Sequence, residues 1–237
     1  MTVYLILLFA VIFFLYIPLP WLYGRIIRMK QKRKAVVNHN IYLTFDDGPG
    51  TRLTPQILKI LKENDDIKAT FFLLGRNIPG REEIVKSIIN AGHTIASHGF
   101  NHLNAWKVTP WKSISDIKMG WNALSTVLSA KEIKYVFRPP CGKLNLMSLL
   151  FLWIYKVPVV FWTVDCLDTW PECKRNVDCA ANKLRIEEGG IMLFHDFDRA
   201  TDQMDGYVLN ALNAVIKTGK NLGLNFSTIN KLYEKSM

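Results

Sequence analysis

Residues 1–34 contain neither Asp nor Glu, and the run from Val3 to Tyr23 carries no charge of either sign. An uncharged apolar stretch of roughly 20 residues is what a helix needs to cross a bilayer. The run also lacks the basic leading segment and the small-x-small site of a cleaved secretory signal. A single transmembrane helix over residues 1–24 is therefore expected, with Pro18 and Pro20 ending or kinking it and Trp21 and Tyr23 at the interface. Cysteine is scarce as well. Cys141, Cys166, Cys173 and Cys179 show no close C-x-x-C spacing, which argues against a zinc ribbon or a dense disulfide framework. Reduced thiols or one disulfide among the last three both fit. Internal repeats and low-complexity tracts are absent.

The charge that is present is unevenly placed. Arg25, Arg28, Lys30, Lys32, Arg33 and Lys34 account for most of the formal +10. The basicity is thus a juxtamembrane feature suited to anionic headgroups, over a linker of residues 25–40, and it gives no reason to expect a nucleic-acid partner. Six cations after the span and none before it predict that the domain beyond them faces the cytoplasm.

From residue 41 to 237 one catalytic-size domain is expected. Apolar runs at 41–45, 69–75, 93–97, 135–138, 157–164, 191–195 and 224–227 read as strands. Helical patterns fall between them at 54–64, 81–91, 110–130, 144–155, 176–188 and 205–218, with Thr54 and Pro55 as N-cap and first helical residue. Strands alternating with helices predict a parallel α/β fold, open or closed into a barrel. Polar residues at the ends of several strands favour the barrel, which would gather them on one face.

Those strand ends carry the chemistry. Asp46 and Asp47 close the first strand before Gly48-Pro49-Gly50, and adjacent carboxylates there diverge, so that one can hold a metal while the other faces a water. His98 and His102 are four apart, on one side of a helical turn, and with one carboxylate they form a three-ligand site with a vacancy. Zinc suits such donors; cobalt, nickel, iron and manganese also fit. His93 begins its strand and is expected on the far side. Arg138 precedes Pro139-Pro140-Cys141-Gly142 and is placed to hold a carboxylate ionised, while the N–H groups of Cys141 and Gly142 are candidate oxyanion donors. Asp165 and Asp168 end the fifth strand, and His195 ends the sixth with a titration range suited to proton donation if a carboxylate orients it.

Together the runs Thr44 to Pro49, His98 to His102, Arg138 to Gly142, Asp165 to Trp170 and Leu193 to His195 resemble the polysaccharide deacetylases of carbohydrate esterase family four. The resemblance implies a distorted (β/α)7 barrel that removes N-acetyl groups from amino sugars in an envelope polysaccharide. It implies Asp46 as general base and Asp47, His98 and His102 as metal ligands. Arg138 would restrain Asp46, the Cys141 N–H would bind the oxyanion, Leu193 would line the acetyl slot, and His195 would be the acid. Asp168 is the preferred partner of His195, ahead of Asp165. Three positions depart from the family pattern: Cys141 for Tyr, Gly99 for Ser or Thr, and Thr169 inserted before Trp170, which displaces the tryptophan that walls the pocket. The resemblance favours an extracytoplasmic domain, against the basic flank. Two rival readings fit the same residues: a deacylase of a lipid-linked amino sugar at the cytoplasmic membrane face, and a degenerate member that binds glycan or metal without turnover.

Overall fold

The computed structural model describes residue 4 and residues 14–172, 175–199 and 201–233. Seven strands, β1 (Asn40–Asp46), β2 (Thr70–Leu73), β3 (Thr94–Ser97), β4 (Ile133–Phe137), β5 (Val164–Asp165), β6 (Gly190–His195) and β7 (Asn225–Phe226), pair in parallel in the order β4-β3-β2-β1-β6-β5, with β7 on β1 outside that path. Helices α1 (Pro18–Val37), α2 (Leu53–Glu63), α3 (Glu82–Asn90), α4 (Pro110–Ser125), α5 (Leu146–Ile154), α6 (Val177–Glu187), α7 (Asp202–Asn221) and α8 (Asn230–Tyr233) surround them. A parallel sheet covered on both faces needs apolar residues on both, and β1 is buried from Ile41 to Asp46.

Period-two alternation then divides two layers. Tyr42, Phe72, Ala96, Val136, Val160 and Ile191 form one cluster inside the ring. Leu43, Phe45, Phe71, Met192 and Phe194 belong to the larger cluster under the helices. There the Phe45 ring stacks on Phe71 and Phe194 at centroid distances of 4.9 and 5.6 Å. The inward register continues upward through Thr44 and Leu193 to Asp46, which lies opposite His195.

The wall departs from a regular seven-strand ring. Where a strand over 157–164 is expected, only Val164–Asp165 qualifies, and the residues before it cross the gap in staggered fashion. Phe137 pairs with Val159 at the lower end and Thr163 N–H donates to Ile191 O at the upper. This segment joins β4 to β6 and closes the barrel. Because β6 pairs directly with β1, β7 is no ring member and sits at the foot of β1 through Asn40 and Ile41.

Residues 14–16 are helical, Ile17 is a turn, and Pro18 begins α1 at its first turn, where a missing N–H costs nothing; residues 25–37 continue α1 where a linker was expected. Gln31 shows why the helix is ordered against the barrel: its side-chain amide donates to Val159 O (2.7 Å) and accepts from Phe161 N–H (3.0 Å). One glutamine thereby serves both backbone groups of the irregular wall segment, as a neighbouring strand would. Among the described residues no helix is long and apolar enough to cross a membrane. Half of the expected span, residues 1–3 and 5–13, lies outside the described residues.

Candidate metal centre and flanking acid and base

The turn after β1 places its two carboxylates in different surroundings. Asp46 still follows the strand, points into the barrel and is buried. Asp47 has φ +71°, a left-handed conformation that swings its side chain out of strand register. Gly48 follows because no larger residue fits: a Cβ there would collide with the Asp196 carboxyl.

His98 and His102 flank Asp47 Oδ1, each with Nε2 at 3.5 Å. They do not sit on a helical turn as their spacing suggested. Residues 98–102 form an irregular turn with Gly99 and His102 at φ +82° and +58°, and it brings the two rings to a centroid distance of 5.2 Å. Asp116 of α4 fixes that turn by accepting from Phe100 and Asn101 N–H (3.1 and 2.8 Å). Gly99 is required because Asp116 Oδ2 occupies the space of its Cβ.

The donor set fits a divalent cation. One ligand atom each from Asp47, His98 and His102 lies within 4.8 Å of the other two. Asp47 Oδ1 is buried and has no hydrogen-bond donor of its own. His98 Nδ1 lies 2.8 Å from Arg138 O, a carbonyl that can only accept, so the proton resides on Nδ1 and Nε2 presents its lone pair. Burial pushes His98 down to about 3, keeping the imidazole neutral.

Arg138 Nη1 reaches Asp46 Oδ1 and Thr44 Oγ1, both at 2.7 Å, and the guanidinium lies over the Phe72 ring at 4.1 Å. Burial raises the Asp46 carboxyl, and Arg138 and His195 oppose that rise. Across the mouth, His195 Nδ1 meets Asp168 Oδ1 at 2.8 Å while Asp168 Oδ2 accepts from His195 N–H and from Arg199 Nη2. Burial alone would lower His195, but the Asp168 charge and hydrogen bond outweigh it and lift the ring to about 9. Asp168 is thus the carboxylate on His195. Asp165 instead accepts from Leu167 N–H and the Trp170 indole, which holds the exposed Trp170 on the rim. Leu193 lies one inward position below His195.

Cys141 occupies a left-handed position (φ +54°) in the turn after β4. Of the two candidate oxyanion donors, Gly142 N–H is spent on Pro139 O (2.9 Å), whereas no hydrogen bond from Cys141 N–H is found among the described residues. Cys141, Cys166 and Cys179 are free thiols; Cys173 lies outside the described residues. His93 sits at the opposite end of β3, where its Nδ1 accepts from Ala69 N–H at 3.2 Å.

Sequence reasoning gave no role to Asp116, Asp196, Asp198 or Arg199. Asp196 is fully buried beneath Gly48 and accepts from Thr54 Oγ1 at 2.6 Å. Asp198 collects the N–H groups of Thr51, Arg52 and Leu53 and so caps α2, a task expected of Thr54. The adjacency of Asp196 to His195 was the one available signal. A cavity of about 430 Å3 lined by Trp121, Tyr135, Phe151 and Tyr155 contains none of these groups, so size does not mark the site here.

A parallel barrel mouth here brings together an aspartate and two imidazoles whose donor atoms could hold a divalent cation, between a clamped carboxylate and a clamped imidazole. Comparison with known proteins agrees in family. The polysaccharide deacetylase family matches residues 33–151. A peptidoglycan-N-acetylglucosamine deacetylase of Bacillus cereus is 33% identical over 198 residues, covering 83% of this chain and 69% of the relative. The peptidoglycan-N-acetylglucosamine deacetylase PgdA of Listeria monocytogenes is 29% identical over 213 residues, 89% of this chain but only 42% of that protein. This chain therefore spans less than half of the PgdA relatives. The solved Bc1960 peptidoglycan N-acetylglucosamine deacetylase superposes with a TM-score of 0.74 at 29% identity, over 84% of this chain and 90% of that one. The chain belongs to the polysaccharide deacetylase family.

Proposed function

We infer that the protein hydrolyses N-acetyl groups on amino sugars of a cell-envelope polysaccharide, with peptidoglycan the substrate suggested by the relatives' activities. The observation that carries this reading is the convergence at one barrel mouth of Asp47, His98 and His102 with Asp46 on one side and His195 on the other. Asp47, His98 and His102 would hold a divalent cation, which when bound would supply Lewis acidity for the amide carbonyl and the attacking water. Zinc is the first expectation for these donors, with cobalt, nickel, iron and manganese as alternatives.

Asp46 takes the proton of the attacking water. Burial raises that carboxyl, and Arg138 opposes the rise while fixing the carboxylate's orientation. Negative charge gathering on the carbonyl oxygen is met by the N–H of Cys141. His195, protonated at neutral pH through Asp168, gives its Nε2 proton to the departing amine. Leu193 bounds the acetyl methyl from below, and Trp170 borders the sugar at the rim. Substitution of Cys141 for an aromatic residue leaves its backbone donor in place.

The test is acetate release from N-acetylglucosamine oligomers and from intact peptidoglycan. Release that a chelator stops and a divalent salt restores supports the reading. No release with any of the five metals contradicts it.

A further inference from the structure

Beside the metal cluster, between the loops that follow β1, β2 and β6, lies a cavity of about 270 Å3. Asp47 and His102 form its inner wall, so it is continuous with the reaction centre, and Arg76, Arg81, Phe197 and Asp198 form much of the rest. The two carboxylates and two guanidinium groups lining it are not equally engaged. Asp198 is engaged by Thr51, Arg52 and Leu53 N–H and by the Thr51 hydroxyl (2.6 Å). Asp47 is the anionic ligand of the cation cluster. Arg81 is anchored, with Nη1 donating to Pro49 O at 2.8 Å. The exposed Arg76 guanidinium makes no ion pair or side-chain hydrogen bond among the described residues, although its backbone N–H is tied to Phe100 O.

The same cavity has an aromatic wall. Phe197 stands edge-on to the His195 ring at a centroid distance of 6.4 Å and is backed by the Arg199 guanidinium at 4.2 Å. A sugar ring lying along Phe197 would therefore sit between the proton donor and the two arginines. We propose that this cavity is a subsite for an anionic substituent, a carboxylate or a phosphate, on the sugar adjoining the one that is deacetylated, held by Arg76 with Arg81. The guanidinium fork matches both anions, and their shared chemistry is a pair of acceptor oxygens. The inference rests on the deacetylase reading for the neighbouring sugar, and it adds a charge requirement to the substrate.

The experiment is calorimetric binding of three glycans of equal length to the metal-loaded protein. One is neutral N-acetylglucosamine oligomer, one carries lactyl carboxylates on alternate sugars, and one carries phosphates there. Affinity is read separately from acetate release, so an inactive protein would sink the deacetylase reading while leaving this measurement intact. At low salt the acidic glycan is expected to bind about fivefold or more tightly than the neutral one, as for a partly exposed charge pair. Arg76→Gln is expected to erase that preference without changing neutral-glycan binding, and Arg76→Lys to keep part of it. A preference for only one acidic glycan assigns the subsite to that anion. Equal binding of all three glycans by the wild type, or an unchanged preference in Arg76→Gln, would overturn the proposal.

Discussion

His195 holds its proton at neutral pH because the Asp168 carboxylate lies beside the ring and accepts from its Nδ1, while the other Asp168 oxygen accepts the His195 backbone N–H. A folded-state value raised from 6.5 to about 9 contributes stability that is complete below 6.5 and lost as pH rises through 9. Turnover by an acid of this kind falls over the same upper limb. The pH–rate profile is expected to decline above about 9, and His195→Ala is expected to be slower by roughly 10²-fold or more with that limb missing. Asp196 is also raised, but by a different cause. Burial and the charges of Asp47 and Asp46 lift it from 3.8 to about 7, so its contribution is present below 3.8 and lost as pH rises through 7. Asp196→Asn keeps an acceptor for Thr54 and is expected to flatten the fall of the denaturation midpoint over that range. The convergence of Asp46, Asp47, His98 and His102 could be anticipated from residue types at strand ends. Asp196 could not, because nothing local says that Gly48 lacks a side chain to make room for it.

At the scale of elements, turns are positioned by side chains that arrive from elsewhere in the chain. Asp116, inside α4, holds the His98–His102 turn through two backbone N–H groups. Asp116→Ala strands both donors, which costs about 1–3 kcal/mol, and loosens two imidazoles, for which a roughly 10- to 100-fold loss of metal affinity is expected. Equilibrium unfolding and competitive chelation check the two parts. Gln31 in α1 does the same for the wall segment, and Gln31→Ala is expected to cost about 1–3 kcal/mol by stranding Phe161 N–H and leaving Val159 O to the Tyr233 hydroxyl alone. A thermal shift within error of the wild type would count against α1 as part of the barrel. Between β1 and β7 the helices were legible in the sequence to within a few residues, since amphipathic period and caps are local, whereas α8 was not expected. The fifth strand was not, because Val157 to Thr163 are as apolar as a strand yet shared between two neighbours in staggered register. Basic residues after an apolar run suggested a solvated linker; only the distant partners of Gln31 and the buried Ala35 make that stretch a packed helix.

Across the whole molecule, parallel topology explains why five separated stretches of sequence share one site. Every strand of the ring runs the same way, so every strand end delivers its polar residues to the same mouth. Alternation within β1 and β6 then sets Asp46 opposite His195, with the metal cluster beside them. The overall plan was readable from strand ends and the family resemblance. The place of β7 was not, since a short apolar run does not disclose whether it joins the ring or braces its foot. The most direct test of the shared ion is elemental analysis of dialysed protein. The account predicts one divalent cation per chain in the wild type, in Asp46→Asn and in His195→Ala, and a loss of most of it in Asp47→Ala and His102→Ala. Full metal retention by those last two variants would contradict it.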